Sequence, residues 1–101
     1  MLSLAGNELR FVPSRIFELP ALRTLDLSGN RLEELPADVR GLQRLERLGV
    51  AGNQLRDLPR ELFDLPRLVE VATGPGPLAP PADDDRWETR DGVIRRVDDG
   101  R

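Results

Sequence analysis

The chain has 101 residues, enough for one domain with a modest core and too few for two independent ones. It contains no cysteine, histidine, tyrosine or lysine, which excludes disulfides, cysteine-ligated zinc, thiol and imidazole catalysis and side-chain Schiff bases. The net charge is -3, the signs are interspersed, and no basic run exceeds Arg95-Arg96, so the electrostatic footprint of a nucleic-acid binder is missing.

All fifteen basic residues are arginine. Together with the abundance of Ala, Gly, Pro and Asp, this is the coding bias expected of a GC-rich, bacterial genome. The first segment, MLSLAGNELR, has no basic start followed by an apolar run, and no stretch reaches transmembrane length. The expectation is a soluble, cytoplasmic protein that does not engage a membrane.

That first segment also opens a repeat. Asn7, Asn30 and Asn53 lie 23 residues apart, and Gly6, Gly29 and Gly52, then Pro13, Pro36 and Pro59, keep the same step. The apolar slots follow in three registers: Leu2, Leu4, Leu9, Val12, Ile16, Leu19, Leu22; Leu25, Leu27, Leu32, Leu35, Val39, Leu42, Leu45; Leu48, Val50, Leu55, Leu58, Leu62, Leu65, Leu68. Neither a helix nor a strand alone gives that irregular spacing. Leu25 and Leu27 fit one face of a short strand, where alternate side chains share a side. Leu32 and Leu35 then point inward from a turn and an irregular segment, and Val39 and Leu42 from a short helical or 3₁₀ return piece. No coil of this kind buries its own apolar side, so successive coils must stack.

The consensus reads L-x-x-L-x-L-x-x-N-x-L-x-x-L-P, and LRTLDLSGNRLEELPADVRGLQR resembles the 23-residue intracellular leucine-rich repeat of bacterial and plant proteins over roughly residues 1–78. The resemblance implies an α/β leucine-rich repeat solenoid, with a short parallel sheet on the concave face and helical or 3₁₀ segments on the convex side. It also implies an inward asparagine ladder of Asn7, Asn30 and Asn53, whose carboxamides satisfy backbone groups where the chain leaves each strand.

A fourth register begins with Leu68 and Val71 but degenerates: Thr73 takes a leucine slot, Gly76 takes the asparagine slot, and Leu78 is the last match. Pro75, Pro77, Pro80 and Pro81 follow, and proline denies an incoming strand its hydrogen bonds, as at a protected sheet edge. GPGPLA, residues 74–79, formally fits a dinucleotide fingerprint, yet its prolines remove phosphate-binding N–H groups and block the helix that should follow. Residues 79–85 read as a Pro/Asp-rich linker; DDD at 83–85 lacks the glycine and the ligand spacing of a calcium loop and reads as solvated. In residues 86–101, Asp91-Gly92 between short strand-like runs signals a hairpin. This segment is either a cap whose Trp87 covers the last coil or a tail that orders on binding.

Strand residues alternating with the leucines should form the exposed concave face: Ser3, Ala5; Thr24, Asp26, Ser28; Arg47, Gly49, Ala51; Glu70, Ala72, Gly74. Thr24, Asp26, Arg47 and Glu70 are the expected partner contacts, with arginine the best anchor; alternatively Arg47 merely pairs with Glu70 or Glu46. Arg10, Glu33 and Arg56 fall in one column of alternating sign, and Arg15 falls beside Asp38, as aids to register and solubility. The sequence thus predicts a non-catalytic protein-interaction module without cofactor or metal, for a protein partner it does not name. The rival is the recognition fragment of a larger, ligase-type enzyme or effector whose catalytic part is absent. By register Met1 matches Thr24, leaving coil one uncapped, so that the side formed by Leu2, Leu4, Leu9, Val12, Ile16 and Leu19 is expected to face water; the expected outcomes are, in order, further repeats upstream of a wrongly chosen start, self-association through residues 2–4, or an aggregation-prone product.

Overall fold

The computed structural model describes residues 1–97, so residues 98–101 of the expected C-terminal segment lie outside the described part. Four short strands, β1 (Leu2–Ser3), β2 (Thr24–Asp26), β3 (Arg47–Gly49) and β4 (Glu70–Ala72), lie side by side in chain order and pair in parallel. Register keeps like positions together: Leu2 opposite Leu25, Leu25 opposite Leu48, Leu48 opposite Val71.

Pro13, Pro36 and Pro59 each open a helical piece: 3₁₀ turns at Ser14–Glu18 and Ala37–Gly41, and a single α-turn, α1, at Arg60–Phe63. Proline suits that place because its fixed φ is pre-set for the turn and its missing N–H would have had no partner there. The turns close with three-residue hydrogen bonds, Ile16 N–H to Pro13 O at 3.0 Å and Val39 N–H to Pro36 O at 3.1 Å. The pieces pack on one another in order, the first 3₁₀ turn on the second and the second on α1. The result is an α/β repeat fold, with its leucine core between sheet and helical pieces. Leu27, Leu32, Val39, Leu42, Leu45, Leu62 and Leu68 are fully enclosed, and burying such a side chain contributes about 1.5–3 kcal/mol.

Several expected slots shift. Leu19 is 42% exposed, while Phe17 is buried beneath the second coil, and Phe63, one coil pair later, is also buried. Coil two lies close by: Gly41 carries no side chain where a Cβ would collide with the Phe17 carbonyl oxygen, so the two backbones approach closely beside Phe17. On the open side of coil one, Val12 is buried and Leu2, Leu4, Leu9 and Ile16 are partly covered by packing on the core, so the exposed strip is narrower than the register implies. Met1 and Phe11 are the most exposed large apolar side chains among the described residues, at 85% and 77%, and Met1 lies at the strand face beside Thr24 and Asp26.

The prolines after residue 74 do not guard the edge of β4. They carry the chain away, and it returns as a hairpin, β5 (Trp87–Arg90) and β6 (Val93–Arg96), whose second strand pairs antiparallel with β4; the sheet order is β1-β2-β3-β4-β6-β5. Asp91 and Gly92, with φ of 54° and 75°, form the two-residue turn. Trp87 is buried and meets Phe63 edge-on at 5.2 Å, and the Arg96 guanidinium lies 4.5 Å over the Trp87 ring. Arg96 also donates to the carbonyls of Leu68 at 2.8 Å and Leu65 at 3.1 Å. Of the three aspartates expected to be solvated, Asp83 and Asp85 are exposed, Asp83 also pairing with Arg60 of α1 at 3.2 Å, whereas Asp84 is held by Arg86 at 2.6 Å.

Candidate functional site

Pleating sends Leu25, Leu48, Val71 and Ile94 into the core, so their neighbours stand on the outer face of the sheet. Thr24, Arg47 and Glu70 align in one row across β2, β3 and β4, and Asp26, Gly49 and Ala72 in the next. A shallow depression of about 350 Å3 lies on this face; Thr24, Asp26, Arg47 and Glu70 all line it, with Ser28, Gly49 and Ala51.

The charged groups are positioned unequally. Asp26 is held by its own turn, Oδ1 accepting from the Ser28 amide at 3.0 Å and from its hydroxyl at 2.7 Å. It leans over Gly49, where an added Cβ would come within 2.9 Å of Oδ1. Arg47 reaches toward Glu70 with Nε 3.7 Å from Oε1, but its side chain is 57% exposed, so the pair is loose; exposed pairs of this kind contribute roughly 0.2–1 kcal/mol. An incoming acidic group can therefore take Arg47 over at little loss. Asp26 offers a fixed acceptor beside a floor of Gly49, Ala51 and Ala72 on which another backbone can lie close.

The hairpin adds residues that the sequence reading did not include. Arg95 of β6 stands opposite Glu70, and Glu88 of β5 opposite Arg95, so the first row runs Thr24, Arg47, Glu70, Arg95, Glu88. Val93 and Arg90 extend the second row, and with Glu88, Asp91 and Arg95 they line a smaller depression of about 130 Å3. The signal was the alternation in WETR and VIRR, which separates Trp87 and Ile94 from Glu88 and Arg95.

The asparagines sit at the exits of the strands, beneath this face. Asn30 Oδ1 accepts the N–H groups of Asn7 and Leu9, each at 2.9 Å, and its Nδ2 donates to Leu4 O at 3.0 Å and Leu27 O at 2.9 Å. Asn53 repeats this one coil on, accepting Leu32 N–H at 3.0 Å and donating to Leu27 O at 2.9 Å and Val50 O at 3.0 Å. Asn7 is exposed and donates only within its own coil, to Leu4 O and Ala5 O.

The expected charge columns form no ion pairs: Arg10, Glu33 and Arg56 do not bond one another, nor does Arg15 bond Asp38, within the described residues. Other residues one coil apart do, Arg31 with Glu8 at 2.7 Å and Arg60 with Asp83 at 3.2 Å. Among the described residues no group of three or more His, Cys, Asp or Glu side chains could hold a metal ion, and no helix is long and apolar enough to cross a membrane.

No curated protein matches the chain. The family model described as leucine rich repeat matches residues 1–55, the stretch that holds all three ladder asparagines, β1 to β3 and the first two proline-led turns. With more than half of its length matched and the same 23-residue step linking its paired strands and carboxamides, the chain belongs to the leucine-rich repeat family.

Proposed function

We propose that the chain is a non-catalytic interaction module that holds a protein partner on its strand face. Leucine-rich repeat domains generally mediate protein–protein interaction, which supports the class of function. The observation that carries the site is the clustering of Thr24, Asp26, Arg47 and Glu70, from three successive strands, around one depression. In this reading the coils form a solenoid of the 23-residue intracellular type, working in the cytoplasm of a bacterium. The sheet is its concave side and the helical pieces its convex side, with residues 1–78 as the repeat array, 79–85 as a linker and the hairpin as its cap. A second, weaker contact is self-association through the first coil, where Leu2, Leu4, Leu9 and Ile16 are only partly buried.

The test compares two arginines. A pull-down from the native cell supplies the partner, and titration then ranks Arg47→Ala against Arg56→Ala. Loss of a packed arginine anchor weakens a complex by about 2 kcal/mol or more, so Arg47→Ala should reduce affinity at least tenfold and Arg56→Ala little. The reverse ranking would move the site off the strand face.

A further inference from the structure

The three asparagine positions describe a receptor as well as a ladder. At each coil boundary a side-chain carboxamide enters from the next coil: its oxygen takes the N–H of a leucine, Leu9 from Asn30 at 2.9 Å and Leu32 from Asn53 at 3.0 Å. Its nitrogen gives hydrogens to two carbonyls, one on each coil, Leu4 and Leu27 in the first case and Leu27 and Val50 in the second. One step further, Leu55 stands in the place of Leu32, the carbonyls of Val50 and Thr73 stand in the places of Leu27 and Val50, and the carboxamide is absent because residue 76 is glycine. Among the described residues no backbone carbonyl accepts the Leu55 N–H.

That place is open. A cavity of about 260 Å3 lies there, lined by Val50, Asn53, Leu55, Thr73, Gly76 and Pro77. A Cβ built on Gly76 meets nothing within 4 Å. Pro75 and Pro77 bring no N–H of their own to fill it, and the Thr73 hydroxyl is turned away, 3.0 Å from Gly74 O and 3.1 Å from Gly92 O. From this we propose that the gap after the third coil is a subsite for a primary carboxamide, supplied by an Asn or Gln side chain of the protein partner. The proposal rests on the reading of the chain as a protein-binding module, and it adds the chemistry of one recognised residue.

The selectivity follows from the donor and acceptor pattern. A carboxamide oxygen receives the Leu55 N–H, and its NH₂ group serves the carbonyls of Val50 and Thr73, as in the two occupied boundaries. A carboxylate satisfies the N–H but presents oxygen to both carbonyls, leaving like dipoles face to face. A dimethylated amide keeps the acceptor and loses both donors.

The 101-residue chain, labelled with 15N, is titrated with N-acetyl-asparagine methylamide, its aspartate counterpart and its side-chain dimethylamide, and amide shifts are followed by NMR. Leu9 and Leu32 serve as internal references, since their N–H groups already hold a carboxamide oxygen. The expected result is a saturable shift at Leu55 with the asparagine compound, absent at Leu9 and Leu32, and weaker binding of the other two compounds. An unmoved Leu55, a linear shift matching that of Leu32, or equal binding of the aspartate compound would overturn the subsite. The ranking of Arg47→Ala and Arg56→Ala is read on the intact partner, so failure of the strand-face reading and failure of this subsite are separate results.

Discussion

At the scale of single residues, the ladder sets apart positions that look alike in the sequence. Asn30 is 5% exposed and serves two coils, while Asn7 is exposed and donates only to carbonyls of its own coil. Truncating Asn30 strands the N–H groups of Asn7 and Leu9, while the carbonyls of Leu4 and Leu27 each lose one of two side-chain donors and keep the other, from Asn7 and Asn53. Asn30→Ala should therefore lower stability by about 1–3 kcal/mol, and Asn7→Ala by clearly less, in paired thermal melts. Gly41 is decided by space instead of hydrogen bonding. Its φ is ordinary, but a Cβ has nowhere to go against the Phe17 carbonyl. Gly41→Ala should force the second coil off the first and destabilise by about 1–3 kcal/mol in denaturant titration, as overpacking does.

At the scale of elements, the hairpin is held by chemistry distributed over the linker. Arg86 binds both oxygens of Asp84, at 2.8 Å and 2.6 Å, and reaches the Phe63 carbonyl and Asp64, each at 3.3 Å. These bonds to Arg86 hold the Asp84 carboxyl at a pKa of about 2, below its usual 3.8. A carboxylate with a depressed folded-state pKa contributes stability that is complete above its unfolded value and is lost as pH falls through the folded one. Acidification from pH 3.8 toward 2 should therefore release the linker and wet Trp87, seen as a red shift of its fluorescence. Asp84→Ala should abolish that step, and Asp57→Ala, outside every ion pair among the described residues, should retain it. The elements differ in how far the sequence shows them. The strands at Leu25 and Leu48 are legible because alternation and the 23-residue step coincide there, and Asp91-Gly92 because both positions need positive φ. The pairing of β6 with β4 is not legible, since it joins Val71 to Ile94 across a long loop. The burial of Phe17 is not legible for a related reason: it lies where the backbone of the next coil, at Gly41, comes close. On the candidate face, Thr24, Asp26, Arg47 and Glu70 follow from local alternation, whereas Arg95 and Glu88 join the row only through that long-range pairing.

At the scale of the whole molecule, stacked coils make stability a property of neighbours. Each coil is supported by its own packing and by the coils that flank it, so in the 101-residue chain local opening should be easiest in the coil that has a neighbour on one side only. Leu4 N–H bonds Asp26 O at 2.8 Å, Leu27 N–H bonds Gly49 O at 2.8 Å, and Val50 N–H bonds Ala72 O at 2.9 Å: three equivalent bonds of nearly equal length. Their surroundings differ, because Leu25 and Leu27 are 1% and 0% exposed while Leu2 and Leu4 are only partly buried. Beyond Val50 stand β4 and the hairpin, with Ile94 fully buried opposite Val71. Bond length therefore predicts equal protection, and neighbour support predicts a gradient. In native-state hydrogen exchange on the 101-residue chain, Leu4 should exchange well before Leu27 and Val50, through a local opening of coil one that denaturant barely accelerates. Leu27 and Val50 should exchange only through the global transition, with the denaturant dependence of full unfolding. If Leu4 instead follows Leu27 at every denaturant concentration, the first coil is as firmly held as the second, and the partly covered surface around Leu2, Leu4, Leu9 and Ile16 has lost its claim as a self-association site.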